Sequence, residues 1–392
     1  MTKNNNNNNN KNRKRPLDNK NSKYEPPTKR TKIIVSSDSD SSDNSDSSDS
    51  SNNSDNSDNI EYDDIILPSI ISDNPPEDDE IIIIDKEINN LSDLIELGKM
   101  YNPIKKYNVD LCTLNHLVEP LTELNNMIGM DAVKQDMVDH ILFRIQNLDA
   151  SNQDMCHTVI QGPPGVGKTE VAKIIGRVYL AMGILKNNKF IKATRSQLIA
   201  GYLGQTAKAT QKMIDSALGG ILFIDEVYSL GNSEKRDSFA KECIDTINEN
   251  LTDKKTDFIC IIAGYKDEVD KCFFAYNAGL ERRFPVRFTI DPYTPDEIFQ
   301  IFKKKVYDCG WEIDNSISSS FFHENYEYFK YFGGDMEILF SRCKRAHSRR
   351  VFASKIATKK ILNMTDIKRG FESFKNHRKD KEESSFWKNL YI

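Results

Sequence analysis

No two of the seven cysteines stand in a C-x-x-C pair, and none of the six histidines falls at metal-ligand spacing. Those absences argue against a disulfide framework and predict no structural zinc. Cysteines such as Cys260, inside the apolar run FICII, read instead as buried thiols of a reducing compartment. No apolar stretch approaches the ~20 residues that cross a bilayer. The opening MTKNNNNNNNKNRKR holds no apolar segment of a secretory signal. The expectation is a soluble, intracellular protein without internal repeats. A net charge of −5 over 392 residues says little, because it averages over very uneven blocks.

The first ninety or so residues lack the apolar side chains that a core requires. Asn4 to Asn10 is an unbroken asparagine run. Lys11 to Lys32 carries nine Lys/Arg against two acids, in the clusters KNRKR and PPTKRTK. Ser36 to Asp58 contains only Ser, Asp and Asn. Blocks like these stay solvated and serve as interaction or regulatory tails, so residues 1–95 read as a disordered arm. The basic clusters resemble a two-part nuclear import signal, which points to a nuclear or nucleus-like compartment. The Ser/Asp block would suit an acid-directed kinase. Two short isoleucine-rich runs beside acids, KIIVSSDSD and DDEIIIIDKE, resemble SUMO-interacting segments that add a strand to a sheet edge. Sticky disorder in an Ile-rich stretch is the favoured account of them.

From about Leu91 the composition becomes that of a globular protein. LSDLIELGKMYN reads as a short helix. The stretch from Leu114 to Ile145 carries sustained helical periodicity, with Val133, Met137, Ile141, Phe143 and Ile145 apolar. Strands and helices then alternate. CHTVIQG, KFIKATR, GILFID, DFICIIAGY and VRFTI read as strands, with helical patterns between the first four. Apolar, β-branched strands separated by helices mean a parallel sheet covered on both faces. Beyond DPYTPDEIFQIFKKKVYD the pattern is helices only. The expected organisation is an α/β domain over 96–291, a helical domain over 292–375 and a C-terminal tail over 376–392.

Two motifs carry chemistry. GPPGVGKT spans Gly162, Pro163, Pro164, Gly165, Val166, Gly167, Lys168 and Thr169, between a strand and a helix. It fits the phosphate-binding loop G-x-x-x-x-G-K-[ST] in the context that the motif requires. Glycines there let backbone N–H groups converge on phosphate oxygens, and the following helix N-terminus adds partial positive charge. Lys168 would reach the β- and γ-phosphates of ATP, and Thr169 would ligate Mg²⁺. GGILFIDE ends an apolar strand in Asp225 and Glu226, at the sheet edge where ligands bind in open α/β folds. Asp225 fits a metal-holding carboxylate, and Glu226 a residue that polarises the attacking water.

Together with the helical segment after the sheet, these motifs resemble an AAA+ ATPase. NMIGMDAVK resembles the entry motif of that superfamily, and the resemblance implies that Ile128 and Gly129 face the adenine. GYLGQTAKAT, GGILFIDEVYSL, IIAGYKDEVD and NAGLERRF resemble the CbbX/CfxQ group, which includes SpoVK-type proteins. The asparagine run and GGDMEILFSRCKRAHSRRVF further resemble CfxQ-like proteins of giant viruses. The similarity covers about Leu117 to Phe352. It implies a P-loop AAA+ nucleotide domain with a helical lid, ATP hydrolysis, and a homo-oligomeric ring, a hexamer, that remodels or threads proteins. It also implies a pore loop at Tyr202, Leu203 and Gly204, where an aromatic beside glycine would grip an extended chain. Arg282 or Arg283 would act as an arginine finger on the neighbouring subunit's γ-phosphate.

Two positions depart from the pattern. The fourth strand ends in Gly264-Tyr265, where many relatives carry a polar sensor. The lid has Met336 or Glu337 where an arginine is usual, so Arg342 or Arg345 would have to substitute, or hydrolysis would be slow. Two other functions remain open. Arg342 to Lys379 holds thirteen Lys/Arg and two acids, which would suit a nucleic-acid motor or loader. The altered sensors would suit a nucleotide-gated scaffold.

Overall fold

The computed structural model describes residues 81–146, 148, 155–202, 204–232, 234, 237–352 and 360–390, with side chains up to 378. They all belong to one compact unit, Asp58–Ile392. The asparagine run, the basic clusters, the Ser/Asp block and KIIVSSDSD lie outside the described residues.

Three helices come first: α1 (Leu91–Lys99), α2 (Leu111–Asn125) and α3 (Asp131–Ile145). Asn90 and Asp110 cap the first two by accepting from backbone N–H groups of Asp93 and Thr113. The periodicity read as continuous from Leu114 to Ile145 is broken at Asn126–Met130. Gly129 and Met130 there adopt left-handed backbone, φ 63° and 61°. Val133, Met137 and Ile141 are buried as expected, whereas Phe143 is exposed.

The alternating region follows: β1 (Thr158–Gln161), α4 (Lys168–Ala181), β2 (Phe190–Ala193), α5 (Arg195–Leu198), α6 (Thr206–Ser216), β3 (Ile221–Ile224), α7 (Ser238–Asp253), β4 (Ile259–Gly264), α8 (Lys266–Cys272) and β5 (Val286–Thr289). All five expected strands form, in one wholly parallel sheet of order β2-β3-β4-β1-β5. The inner strands are buried along their whole length. Their side chains divide with the two-residue period of a strand. Ile259, Ile261 and Ala263 join one core with α2, α3 and α4. Cys260 and Ile262 join the other, with α6 and α7. Each fully buried Ile, Leu or Phe contributes about 1.5–3 kcal/mol, so a sheet covered twice is the stable arrangement for so apolar a set of strands. All seven cysteines are free, and five are buried. Burial pushes the Cys243 thiol up to about 11.

After β5 come α9 (Pro295–Asp308), β6 (Glu312–Ile313), α10 (Ser320–Glu324), α11 (Phe332–Val351), β7 (Ile361–Leu362) and α12 (Met364–Leu390). Thr294 and Glu297 close a capping box around Pro295 at the start of α9. The helices-only expectation misses a small parallel pair, β6 with β7. Two-residue strands carry no periodicity that a sequence could display. The α12 backbone stays helical past 376, through the stretch read as a tail.

Buried ion pairs tie α11 to α12. Asp366 accepts from Arg350 Nε at 2.9 Å and lies 2.9 Å from His347 Nδ1. Asp335 accepts from Arg378 at 2.8 Å. The helices cross closely at Gly370, where a Cβ would lie 2.8 Å from Cys343 N and 2.9 Å from its Cα. Gly370→Ala therefore has to push the helices apart. We expect a loss of about 1–3 kcal/mol, read as a lower denaturant midpoint in equilibrium unfolding.

Candidate functional site

β1 ends at Gln161, and the chain turns through Gly162–Gly167 into α4. Gly165 and Gly167 take positive φ, 75° and 94°. No side chain caps α4, so its first N–H groups are left for a ligand. Lys168 folds back over the loop, donating to Gly162 O at 3.0 Å and Pro163 O at 2.8 Å. Its ammonium also lies 5.0 Å from the centre of the Tyr265 ring. Burial lowers the Lys168 pKa, opposed by the charges of Asp225 and Glu226.

Asp225 and Glu226 follow β3. One oxygen, Asp225 Oδ2, accepts from Thr169 Oγ1 at 3.1 Å and from Lys192 Nζ at 3.1 Å. Lys192 comes from β2 and was not singled out from the sequence, where a lone strand lysine carries no signal. Glu226 has left-handed backbone, φ 49°, uncommon for a non-glycine residue and typical of functional turns. Its N–H donates to Asp225 Oδ1 at 3.1 Å.

These residues line a cleft of about 560 Å³, within the ordinary range for small-molecule sites. Pro164, Gly165, Gly167, Lys168, Thr169, Asp225 and Glu226 contribute from the expected set. Tyr228, Gly264 and Tyr265 add an aromatic wall. From the helical segment come Lys305, Gly333 and Glu337, with Lys305 Nζ paired to Glu337 Oε1 at 3.0 Å. Arg342 and Arg345 do not line the cleft, and Met336 is buried in the core. The cation that the helical segment brings to the cleft is thus Lys305, on α9 rather than on α11. Lid and loop touch directly: Gly333 N donates to Gly165 O at 3.0 Å, and Tyr293 Oη to Val166 O at 2.9 Å.

The other expected residues lie elsewhere. Ile128 and Gly129 are half-buried in the turn before α3, outside the cleft lining. Gly129 abuts Glu297 and Tyr293, while Met127 and Met130 approach Gly167. Tyr202 is 73% exposed, and Gly204 beside it has φ 77° with open space around it. Leu203 lies outside the described residues. Arg282 and Arg283 occupy a helical turn away from the cleft. Arg283 donates to Thr252 Oγ1 at 2.6 Å and to Gly279 O at 2.8 Å. Arg282 is exposed and makes no hydrogen bond or ion pair among the described residues. The run at 81–84 is partly engaged by its own chain: Ile82 N donates to Lys106 O at 2.9 Å, and Asn108 N to Ile82 O at 3.3 Å.

The donor set suits a triphosphate with a hard cation. A hydroxyl and a carboxylate oxygen meet at Thr169–Asp225, already beside a positive charge from Lys192. A second cavity of about 330 Å³ holds none of the motif residues.

The family described as "ATPase family associated with various cellular activities (AAA)" matches residues 158–291. A cfxQ-like protein of Acanthamoeba polyphaga mimivirus is 44% identical over 333 residues, covering 82% of each chain. Stage V sporulation protein K of Bacillus subtilis is 36% identical over 197 residues, 49% of this chain and 61% of that protein. ESX-1 secretion system protein EccA1 of Mycolicibacterium smegmatis is 35% identical over 195 residues, 48% of this chain and 34% of that protein.

The contact between loop and lid makes Gly165 a test position. A Cβ there would lie 2.1 Å from Tyr331 O on a backbone with φ 75°. Gly165→Ala has to displace the loop, the lid or both. We expect about 1–3 kcal/mol lower stability and weakened binding of a fluorescent ATP analogue, followed by titration.

Proposed function

Because this chain belongs to the AAA family of ATPases, in its CfxQ-like branch, we propose that it is a ring-forming ATP hydrolase that remodels proteins by pulling on them. No helix among the described residues is long and apolar enough to cross a membrane.

Within one chain, the loop N–H groups and Lys168 hold the β- and γ-phosphates. Thr169 and Asp225 would hold Mg²⁺, which neutralises phosphate charge when bound. A cation held there would compete with Lys192, which donates to the same Asp225 Oδ2. Glu226 accepts a hydrogen bond from the attacking water and orients it in line with the γ-phosphorus. Ile128 and Gly129 border the base through the turn before α3. Lys305 takes the place of the usual lid arginine.

The observation that carries the assembly is the contrast within the arginine pair. Arg283 is tied to Thr252 and Gly279, whereas Arg282 is exposed and unbonded among the described residues. A guanidinium held outward, away from its own cleft, suits a phosphate held by the next subunit. Arg282 is therefore the finger, and Arg283 braces the turn that presents it. Tyr202, exposed beside Gly204, would grip an extended substrate, and a relative named for a secretion system supports work on proteins. The competing nucleic-acid reading loses support, because Arg350, Lys375 and Arg378 in the basic stretch are paired with Asp366, Glu372 and Asp335.

Glu226→Gln should bind ATP but hydrolyse it about 10²–10⁴-fold more slowly. Arg282→Ala should cost about 10³-fold or more, and Arg283→Ala less. Mixing Glu226→Gln with Arg282→Ala subunits should recover part of the lost turnover, because some interfaces then pair an intact Glu226 with an intact Arg282. No recovery at any ratio would count against a shared site. Tyr202→Ala should keep basal ATPase and lose remodelling. Turnover stimulated by DNA with steep salt dependence would instead favour the nucleic-acid motor.

A further inference from the structure

Two tyrosines in the cleft have no part in the chemistry so far. Tyr228 sits in the helical turn Val227–Leu230 that directly follows Glu226. Tyr265 is the first residue beyond β4. The sheet order places β4 between β1 and β3, so Tyr265 emerges between the phosphate loop and Asp225-Glu226. The two rings stack, with centroids 5.2 Å apart and planes 22° from parallel. Both line the cleft with Lys168 and Glu226.

The packing beneath them is specific. Any Cβ at Gly264 would lie 3.0 Å from Tyr228 Cδ1 and 2.6 Å from Val269 Cγ2. The bare backbone at the end of β4 is what lets the Tyr228 ring lie against it. Burial, with the Tyr265 hydroxyl and the Glu226 carboxylate close by, pushes the Tyr228 ionisation well above its usual range. Tyr228 is thus a neutral hydroxyl at any working pH, able to donate a hydrogen bond. Glu226 is the natural recipient, since an ionised carboxylate only accepts. Its backbone is left-handed, and its N–H donates to Asp225 Oδ1.

We propose that Tyr228 and Tyr265 form a hydroxyl chain that positions Glu226: Tyr265 Oη donates to Tyr228 Oη, and Tyr228 Oη donates to one carboxylate oxygen of Glu226. The other oxygen is left to face the attacking water. The Tyr265 ring meanwhile holds Lys168 by a cation–π contact. Both tyrosines are positioning residues that act through Glu226 and Lys168. The inference rests on Glu226 as the water-orienting carboxylate.

Phenylalanine keeps the stacked wall and removes only the hydroxyls, so it separates this role from simple packing. In the full chain, Tyr228→Phe should lower kcat about tenfold, the size expected for one hydrogen bond to a charged group. KM and the affinity for a fluorescent ATP analogue should stay within about twofold. Tyr265→Phe should act in the same direction and less. Tyr228→Phe placed on Glu226→Gln should add no further loss. A Tyr228→Phe enzyme with unchanged kcat, beside an inactive Glu226→Gln, overturns this proposal alone. Additive losses in the double variant overturn it too. Undiminished hydrolysis by Glu226→Gln overturns the underlying assignment, and this proposal with it.

Discussion

Strand β4 lies between β1 and β3, hydrogen-bonded to both along their length. Every group in the nucleotide cleft depends on that placement. The loop after β1 and the acids after β3 are held one strand apart, so Thr169 can reach Asp225 while Lys168 reaches across the end of β4. A strand at that position is buried on both faces, which is why β4 is the most continuously apolar of the five. The same burial leaves only its C-terminal end exposed, and Tyr265 occupies that end. Sheet packing and cleft chemistry are therefore one constraint: a polar or shortened β4 would unseat both carboxylates from the phosphate loop.

The helical segment is joined to this cleft more tightly than a hinged cover needs to be. Gly333 donates to Gly165, Tyr293 to Val166, and Lys305 and Glu337 face each other across the opening. Behind them, Asp335 and Asp366 are buried with Arg378 and Arg350 as partners. Losing one member of such a pair strands a buried charge, which is costly. Gly165 is thus linked through Gly333 to the start of α11, and α11 through its ion pairs to α12.

The motifs with fixed spacing were legible in the sequence. GPPGVGKT and ILFIDE stand where they were read, and all five strands form; β3 and β4 are apolar without interruption because both of their faces are buried. What stayed hidden depends on distant partners. Arg282 and Arg283 are the same residue type side by side, and the contacts of Arg283 with Thr252 and Gly279 tell them apart. Lys305 reaches the cleft from α9, whereas Met336 on α11 is buried in the core. Lys192 and the Tyr228–Tyr265 stack belong to no spacing rule; the sheet order brings them together. The β6–β7 pair is too short to show a period. The basic stretch from Arg342 looked like a single charged surface, but part of it neutralises buried carboxylates within the helical segment.

A site completed by a neighbour's arginine has one direct consequence: a lone chain should hydrolyse poorly. The decisive measurement is ATP turnover per chain across a wide range of protein concentration, with mass followed in parallel by sedimentation. A shared site predicts that turnover per chain rises with concentration and that its midpoint coincides with assembly. Constant turnover per chain, down to concentrations where only single chains sediment, would contradict it.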